Sequence, residues 1–151
     1  MMVDEGIAVC RRWFEEVWND GREDLMPELA AVDVIAHGIG GPDDVAYGLD
    51  AGFKPMYRTL RGAFPDIHFT VEDVIGSGDL VALRWLMRGT HRGEHLGMPA
   101  TGNPVMITGM TFVRIADGKI AEGWNNWDMM GMMDQIAATG ATRVIPKEIA
   151  R

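Results

Sequence analysis

The stretch Asp117-Gly-Lys-Ile-Ala-Glu-Gly-Trp-Asn-Asn-Trp-Asp128, running on into Met129-Met-Gly-Met-Met-Asp-Gln-Ile136, decides how the rest of the chain is read. Asp117-Gly118 lies between two apolar runs and supplies the positive-φ positions of a tight hairpin. Lys119 to Trp127 therefore reads as a strand returning from that turn. Asp128 is placed to cap a helix, since its carboxylate can accept from the free N–H groups of the next turn. Met129, Met132, Met133 and Ile136 fall on one helical stripe behind it. With side chains alternating along the strand, Ala121, Gly123, Asn125 and Trp127 share one face, and Ile120, Glu122, Trp124 and Asn126 share the other. Small residues, an amide and one large aromatic on a single face suit the lining of a cavity.

Composition narrows the classes of function. At 151 residues with no long polar linker, the chain reads as one domain large enough to bury a core. A formal net charge of −8 argues against nucleic acid and against anionic membrane surfaces as partners. The single cysteine, Cys10, excludes an internal disulfide and fits a reducing compartment. Met1-Met-Val-Asp-Glu5 has neither the basic nor the apolar region of a signal peptide. No apolar run approaches the roughly 20 residues of a membrane helix. The expectation is a soluble cytoplasmic domain.

Upstream, Ile7, Cys10, Phe14, Val17 and Trp18 recur at helical spacing and predict a helix over Asp4 to Asn19. A second, short helix is predicted over Leu25 to Ala31, an extended piece over Val32 to His37, and a Gly/Pro/Asp loop over Gly38 to Asp44. A third helix is expected from about Ala51 to Phe64. The period then changes: Ile67, Phe69 and Val71 alternate with His68, Thr70 and Glu72, as in a half-buried strand. Leu80 to Arg88 is apolar on both faces, which predicts a central strand covered on both sides. Gly89 to Pro104 reads as a loop and Val105 to Ile115 as another strand. Helices first and hairpin strands afterwards give an α+β fold, a curved sheet with helices across one face and a concave cavity at its open end.

The ordered segments Ala63-Phe-Pro-Asp66, Gly89-Thr-His-Arg-Gly-Glu94, Pro99-Ala-Thr-Gly102, Asp117 to Trp124 and Asp128-x-x-Gly-x-x-x-Gln135 resemble the SnoaL-like polyketide (ester) cyclase family. The resemblance runs from about Ile7 to Ala138 and leaves 139–151 as a C-terminal tail. It implies the nuclear transport factor 2-like cone, a mixed β-sheet wrapped by N-terminal helices and usually a homodimer through the outer sheet face. It also implies cofactor-free acid/base chemistry, of cyclase, isomerase or lyase type, on a hydrophobic polycyclic or aromatic carbonyl substrate. Where the family's catalytic Asp stands, three residues before the last cap, this chain has Asn125. Where its cyclases carry a His on the preceding strand, this chain has Thr111. Neither side chain titrates near neutral pH. The limonene-epoxide-hydrolase branch has an Arg-x-Asp pair on the central strand; Arg84 matches the Arg, but Leu86 replaces the Asp.

The remaining candidates follow from chemistry. Asn125 can serve as an oxyanion donor or as an ordinary amide bonded to backbone. His37 at the expected cone mouth, His95 and His91 are the candidate bases, because histidine alone titrates near neutrality unperturbed. His68 reads as exposed. Arg84 in a central strand calls for a carboxylate partner, with Glu122 a candidate, or for a ligand anion in a catalytic role. Trp18, Tyr57, Thr111, Trp127 and Asp128 are the expected substrate contacts, Asp128 doubling as the helix cap. Met129, Met130, Met132 and Met133 read either as core or as a malleable wall for hydrophobic ligands. His91-Arg-Gly-Glu-His95 spells a His-x-x-Glu-His zinc pattern, but its flanking glycines and Pro99 disfavour the helix that such a site needs. No metal, flavin or nicotinamide is expected, and the expected partner is a small hydrophobic or aromatic molecule. A doubly apolar strand, with Trp85 and Trp124 as candidates for its outer side, would expose an apolar patch; a homodimer through the sheet is expected. The alternative function is a non-catalytic binding domain that kept the pocket and lost the acid.

Overall fold

A computed structural model describes residues 3–138. The tail 139–151, set apart in the sequence, lies outside the described residues. Helix α1 (Val3–Arg12) continues without a break into a wider-wound π segment over Trp13–Asn19. That wider turn suits the side chains it carries, since Trp13, Phe14, Val17 and Trp18 all reach the interior. Helix α2 is only Met26–Leu29, shorter than expected, because strand β1 (Ala30–His37) already begins at Ala30 with a pairing to Ile120. Strand β2 (Val45–Tyr47) is three residues long, too short to register as a pattern in the sequence. Another π-wound segment, Leu49–Phe53, leads into α3 (Lys54–Ala63).

The second half is a meander of β3 (His68–Ser77), β4 (Leu80–Thr90), β5 (Pro104–Ala116) and β6 (Lys119–Trp127). The six strands form one sheet in the order β2-β1-β6-β5-β4-β3, with β1 and β6 parallel and every other pair antiparallel. The β5–β6 turn is the one the sequence announces: Asp117 and Gly118 have φ of 52° and 74°, the signs of a two-residue hairpin turn. A bulge between Val71 and Asp73 changes the phase of β3, so that Phe69 and Val71 face inward before it and Val74 after it.

The helices pack on the inner face of this sheet and leave the outer face to solvent. Trp18 and Phe14 meet Phe69 at 5.2 and 5.3 Å between ring centroids, and Phe69 meets Trp85 edge-on at 5.0 Å. Trp85 thus belongs to the interior, which corrects its expected outer position; Val81, Leu83, Trp85 and Met87 are the inward set of β4. Full coverage of β4 is corrected as well, since Arg84 on its outer side is exposed. Beside it stand Ile75, Met110 and Phe112, which keep 70, 60 and 45 % of their surface in solvent.

Helix α4 (Met129–Ala137) is capped as the sequence predicts, Asp128 Oδ1 accepting from the N–H of Gly131 at 2.9 Å. Past the end of β6, the Gln135 amide takes the place of a strand partner for β5, accepting from Met106 N (2.7 Å) and donating to Met106 O (2.9 Å). Asn103 Nδ2 donates to the carbonyls of Ile136 (2.8 Å) and Ala138 (2.7 Å), closing the helix end. Among the described residues, no helix is long and apolar enough to cross a membrane.

Candidate functional site

Between the helices and the inner sheet face lies a cavity walled by Trp13, Phe14 and Trp18 from α1 and its π continuation, Met56 and Leu60 from α3, and inward residues of β1, β3, β4, β5 and β6. The space inside and at its mouth amounts to about 900 Å³. The space is a slot in the sense that helical aromatics bound it on one side and the sheet on the other. Nearly all of its lining is aliphatic or aromatic. Polar atoms enter from Thr111, Asn125 and the indoles of Trp85 and Trp127.

Thr111 and Asn125 are cross-strand partners on β5 and β6, and so present side chains to the same face. Their hydrogen bonds form one directed chain. Trp85 Nε1 donates to Thr111 Oγ1 (2.9 Å), Thr111 Oγ1 donates to Asn125 Oδ1 (2.9 Å), and Asn125 Nδ2 donates to the backbone carbonyl of His37 (3.0 Å). The orientation of the amide is fixed by its neighbours, because a carbonyl can only accept and an indole N–H can only donate. One Asn125 N–H is taken by His37, and the amide nitrogen carries a second. Trp127, on the same face of β6, donates from Nε1 to the carbonyls of Gly38 (3.2 Å) and Ile39 (3.1 Å). That contact holds the loop after β1 at the rim, where Ile39 joins the lining.

Of the residues singled out from the sequence, Asn125, Thr111, Trp18 and Trp127 meet in this cavity. Others do not. His37 is the last residue of β1 and points to the outer face, where Nε2 lies 2.7 Å from Glu122 Oε2 and the ring stacks on Trp124 at 5.3 Å. Only its backbone carbonyl touches the site. His91 is wholly buried but elsewhere, against Phe64. Its Nδ1 accepts from Thr101 N (3.2 Å) and lies 3.0 Å from Thr101 Oγ1, which puts the ring proton on Nε2. His95 is exposed, its ring lying over Gly62 of α3. The segment between Thr90 and Pro104 is not helical, so the zinc-type spacing does not bring His91 and His95 onto one face.

Arg84 is exposed and pairs across the sheet with Asp73 (2.5 Å), with Glu72 at 3.6 Å, rather than with Glu122. The Asp73 hydrogen bond raises its pKa further. The alternation of β4 sends Arg84 outward while Trp85 goes in. Tyr57 is buried but packs behind Trp18, its hydroxyl donating to Val17 O at 2.7 Å, so it supports the wall without forming it. Asp128 is an exposed cap. The α4 methionines are absent from the lining; Met132 enters the core and Met130 is 77 % exposed, while Met56 and Met87 are the methionines at the cavity.

Two contributors escaped sequence reasoning. Cys10 reaches the cavity wall, where burial pushes its thiol up to about 12, so it stays protonated and non-nucleophilic at neutral pH. Trp85 is the second, and its partner signal was Gly109, the glycine opposite it on β5. With the lining so composed, the described cavity residues hold a fixed amide donor and flat apolar walls, and no group that exchanges a proton near neutral pH. That arrangement can bind, orient and polarise a carbonyl.

Comparison with known proteins gives a consistent placement. The chain is 28 % identical over 131 residues to the aklanonic acid methyl ester cyclase DnrD of Streptomyces peucetius, covering 86 % of this chain and 89 % of that one. Among solved structures it is similar to IdmH, a polyketide cyclase candidate from Streptomyces antibioticus, with 31 % identity, a TM-score of 0.75 and coverage of 88 % of this chain and 99 % of that one. A SnoaL-like polyketide cyclase candidate from Jannaschia sp. CCS1 superposes with a TM-score of 0.79 at 26 % identity, over 91 % and 94 % of the two chains. The model of the SnoaL-like polyketide cyclase family matches residues 8–136, and the chain belongs to that family.

Proposed function

We propose that this chain holds a flat, hydrophobic, carbonyl-bearing substrate in the slot and promotes its ring closure without a cofactor, through shape and the Asn125 amide rather than through a side-chain base. The observation that carries this reading is the lining itself: aromatic and aliphatic walls around one oriented amide N–H. An oriented donor in a water-poor site stabilises negative charge developing on a carbonyl oxygen. Walls that confine a flexible chain in a reactive shape remove part of the entropic barrier to closure. Kinship with a cyclase whose named substrate is aklanonic acid methyl ester supports the chemical class. The general-base form of the expectation loses its candidates, because His37, His91 and His95 all stand away from the cavity.

The second reading, a binding domain without turnover, is favoured by that same missing base. One experiment separates the two. Aklanonic acid methyl ester is offered to the purified protein, with tryptophan fluorescence following binding and chromatography following conversion. Quenching with conversion supports the enzyme, quenching alone supports the binder, and neither signal removes this ester as a ligand of the site.

A further inference from the structure

The amide in the slot is the end of a relay that starts at Trp85, a residue outside every catalytic expectation. Strand β5 carries Gly109 opposite Trp85, and a Cβ there would lie 2.3 Å from Trp85 Cζ2. No residue but glycine lets the indole lie flat against β5. Lying there, it brings Nε1 within 2.9 Å of Thr111 Oγ1, two residues along the same strand. An indole N–H can only donate, so the Thr111 oxygen is used as an acceptor and its proton is directed to Asn125 Oδ1. One lone pair of the amide oxygen is thereby taken by Thr111, and the amide is held in a single orientation with its NH2 group on the His37 side. Both ends of the amide are set, one by the His37 carbonyl and one by the Trp85–Thr111 pair.

We infer that Gly109, Trp85 and Thr111 are positioning residues that make the slot selective for ligands presenting a hydrogen-bond acceptor, a ketone or enolate oxygen, at Asn125. This deepens the proposed function and rests on its premise that the slot takes flat apolar molecules. Without the indole donor, the Thr111 hydroxyl is no longer directed at the Asn125 oxygen, and the amide is free to flip. The site would then accept donors and acceptors alike.

The probes are 9-fluorenone and fluorene, which share a flat tricyclic frame and differ in the carbonyl. Affinities are measured by tryptophan quenching on the wild type, Trp85→Phe, Thr111→Val and Asn125→Leu, with thermal melts to confirm folding. Fluorenone is expected to bind the wild type about three- to tenfold more tightly than fluorene, the range of one net hydrogen bond. That preference should vanish in Asn125→Leu and shrink in Trp85→Phe and Thr111→Val. A packing defect alone would weaken both ligands and leave their ratio unchanged. The infrared carbonyl stretch of bound fluorenone should sit below its value in hydrocarbon solvent, and return toward that value in Trp85→Phe. Equal wild-type affinities for the two probes would overturn the acceptor selectivity and leave the apolar slot standing. A full preference retained in both Trp85→Phe and Thr111→Val would overturn the relay. Failure of both probes to bind the wild type would remove the slot, and the inference with it. If Trp85→Phe does not fold, Thr111→Val carries the same test.

Discussion

Replacing Asn125 by aspartate exchanges one NH2 group for oxygen, and the surroundings make that exchange costly in a pH-dependent way. The lost Nδ2 donates to the His37 carbonyl at 3.0 Å. An ionised carboxylate would set an anionic oxygen against that carbonyl, inside a wall of Trp, Ile and Val side chains. Only the neutral acid can donate to His37, so the folded state favours protonation. Thr111 donates to the other oxygen and tempers the effect. Full burial raises a carboxyl pKa by up to roughly 3–5, and for this half-buried position we take about 2. At ~1.36 kcal/mol for each, the variant loses about 2.7 kcal/mol when the folded-state group is forced to ionise. The sign follows from linkage: a folded pKa raised above the unfolded value of about 3.9 leaves stability intact below that pH and removes it as pH rises toward about 6. Thermal melts of wild type, Asn125→Asp and Asn125→Leu at pH 4 and pH 7.5 read this out. The aspartate variant should fall behind by roughly 5–10 °C more at pH 7.5 than at pH 4, at about 2–4 °C per kcal/mol for a domain of this size. The leucine variant should show a gap that does not change with pH. A pH-independent gap for aspartate as well would mean a solvated carboxyl, and would refute the claim that Asn125 faces an apolar slot. If the introduced group also acts as a base, any proton-transfer activity should rise with pH along its raised pKa.

Further outcomes follow from the same geometry. Gly123 faces the cavity with open space beyond its Cα, its nearest neighbour being Phe112 O at 3.9 Å, so Gly123→Leu should fill the slot and weaken fluorenone binding at least tenfold. Asn126→Leu, on the outer face, should leave that affinity within about twofold; a larger loss than in Asn125→Leu would put the register of β6 wrong by one. Ile75, Met110 and Phe112 form an exposed apolar stripe on the outer face, and we expect a second copy of the chain to cover it. Sedimentation at micromolar concentration should give twice the 16.6 kDa chain mass and Met110→Asp should return the monomer, whereas a monomeric wild type would end this proposal. With its thiol pushed up to about 12 by burial, Cys10 should resist Ellman's reagent at pH 8 in the folded protein and react at once in urea. Because that pKa is raised, its contribution to stability is intact below the ordinary thiol value of 9.0 and is lost as pH rises toward about 12.

Local repetition and turn chemistry make part of this protein legible from its sequence alone. Asp117-Gly118 needed no tertiary context, since its two positive φ angles are a property of those residues in a tight turn. The alternation along β6 put Asn125, Gly123 and Trp127 on one face, and Asp128 capped α4, because side-chain direction and N–H satisfaction are set within a few residues. What lay beyond its reach is longer in range. The histidines resemble one another as letters, yet one pairs with Glu122 outside the sheet, one is sealed behind Phe64, and one lies over Gly62. Their chemistry depends on which elements pack beside them, and residues 27 (Phe64 from His91), 33 (Gly62 from His95) and 85 (Glu122 from His37) positions distant supply those neighbours. Arg84 and Trp85 are adjacent in sequence and meet opposite fates, one in an ion pair with Asp73 and one donating to Thr111. Such outcomes come from packing, because a strand's pattern shows that two faces exist, while the helices laid against the sheet settle which one is the inside.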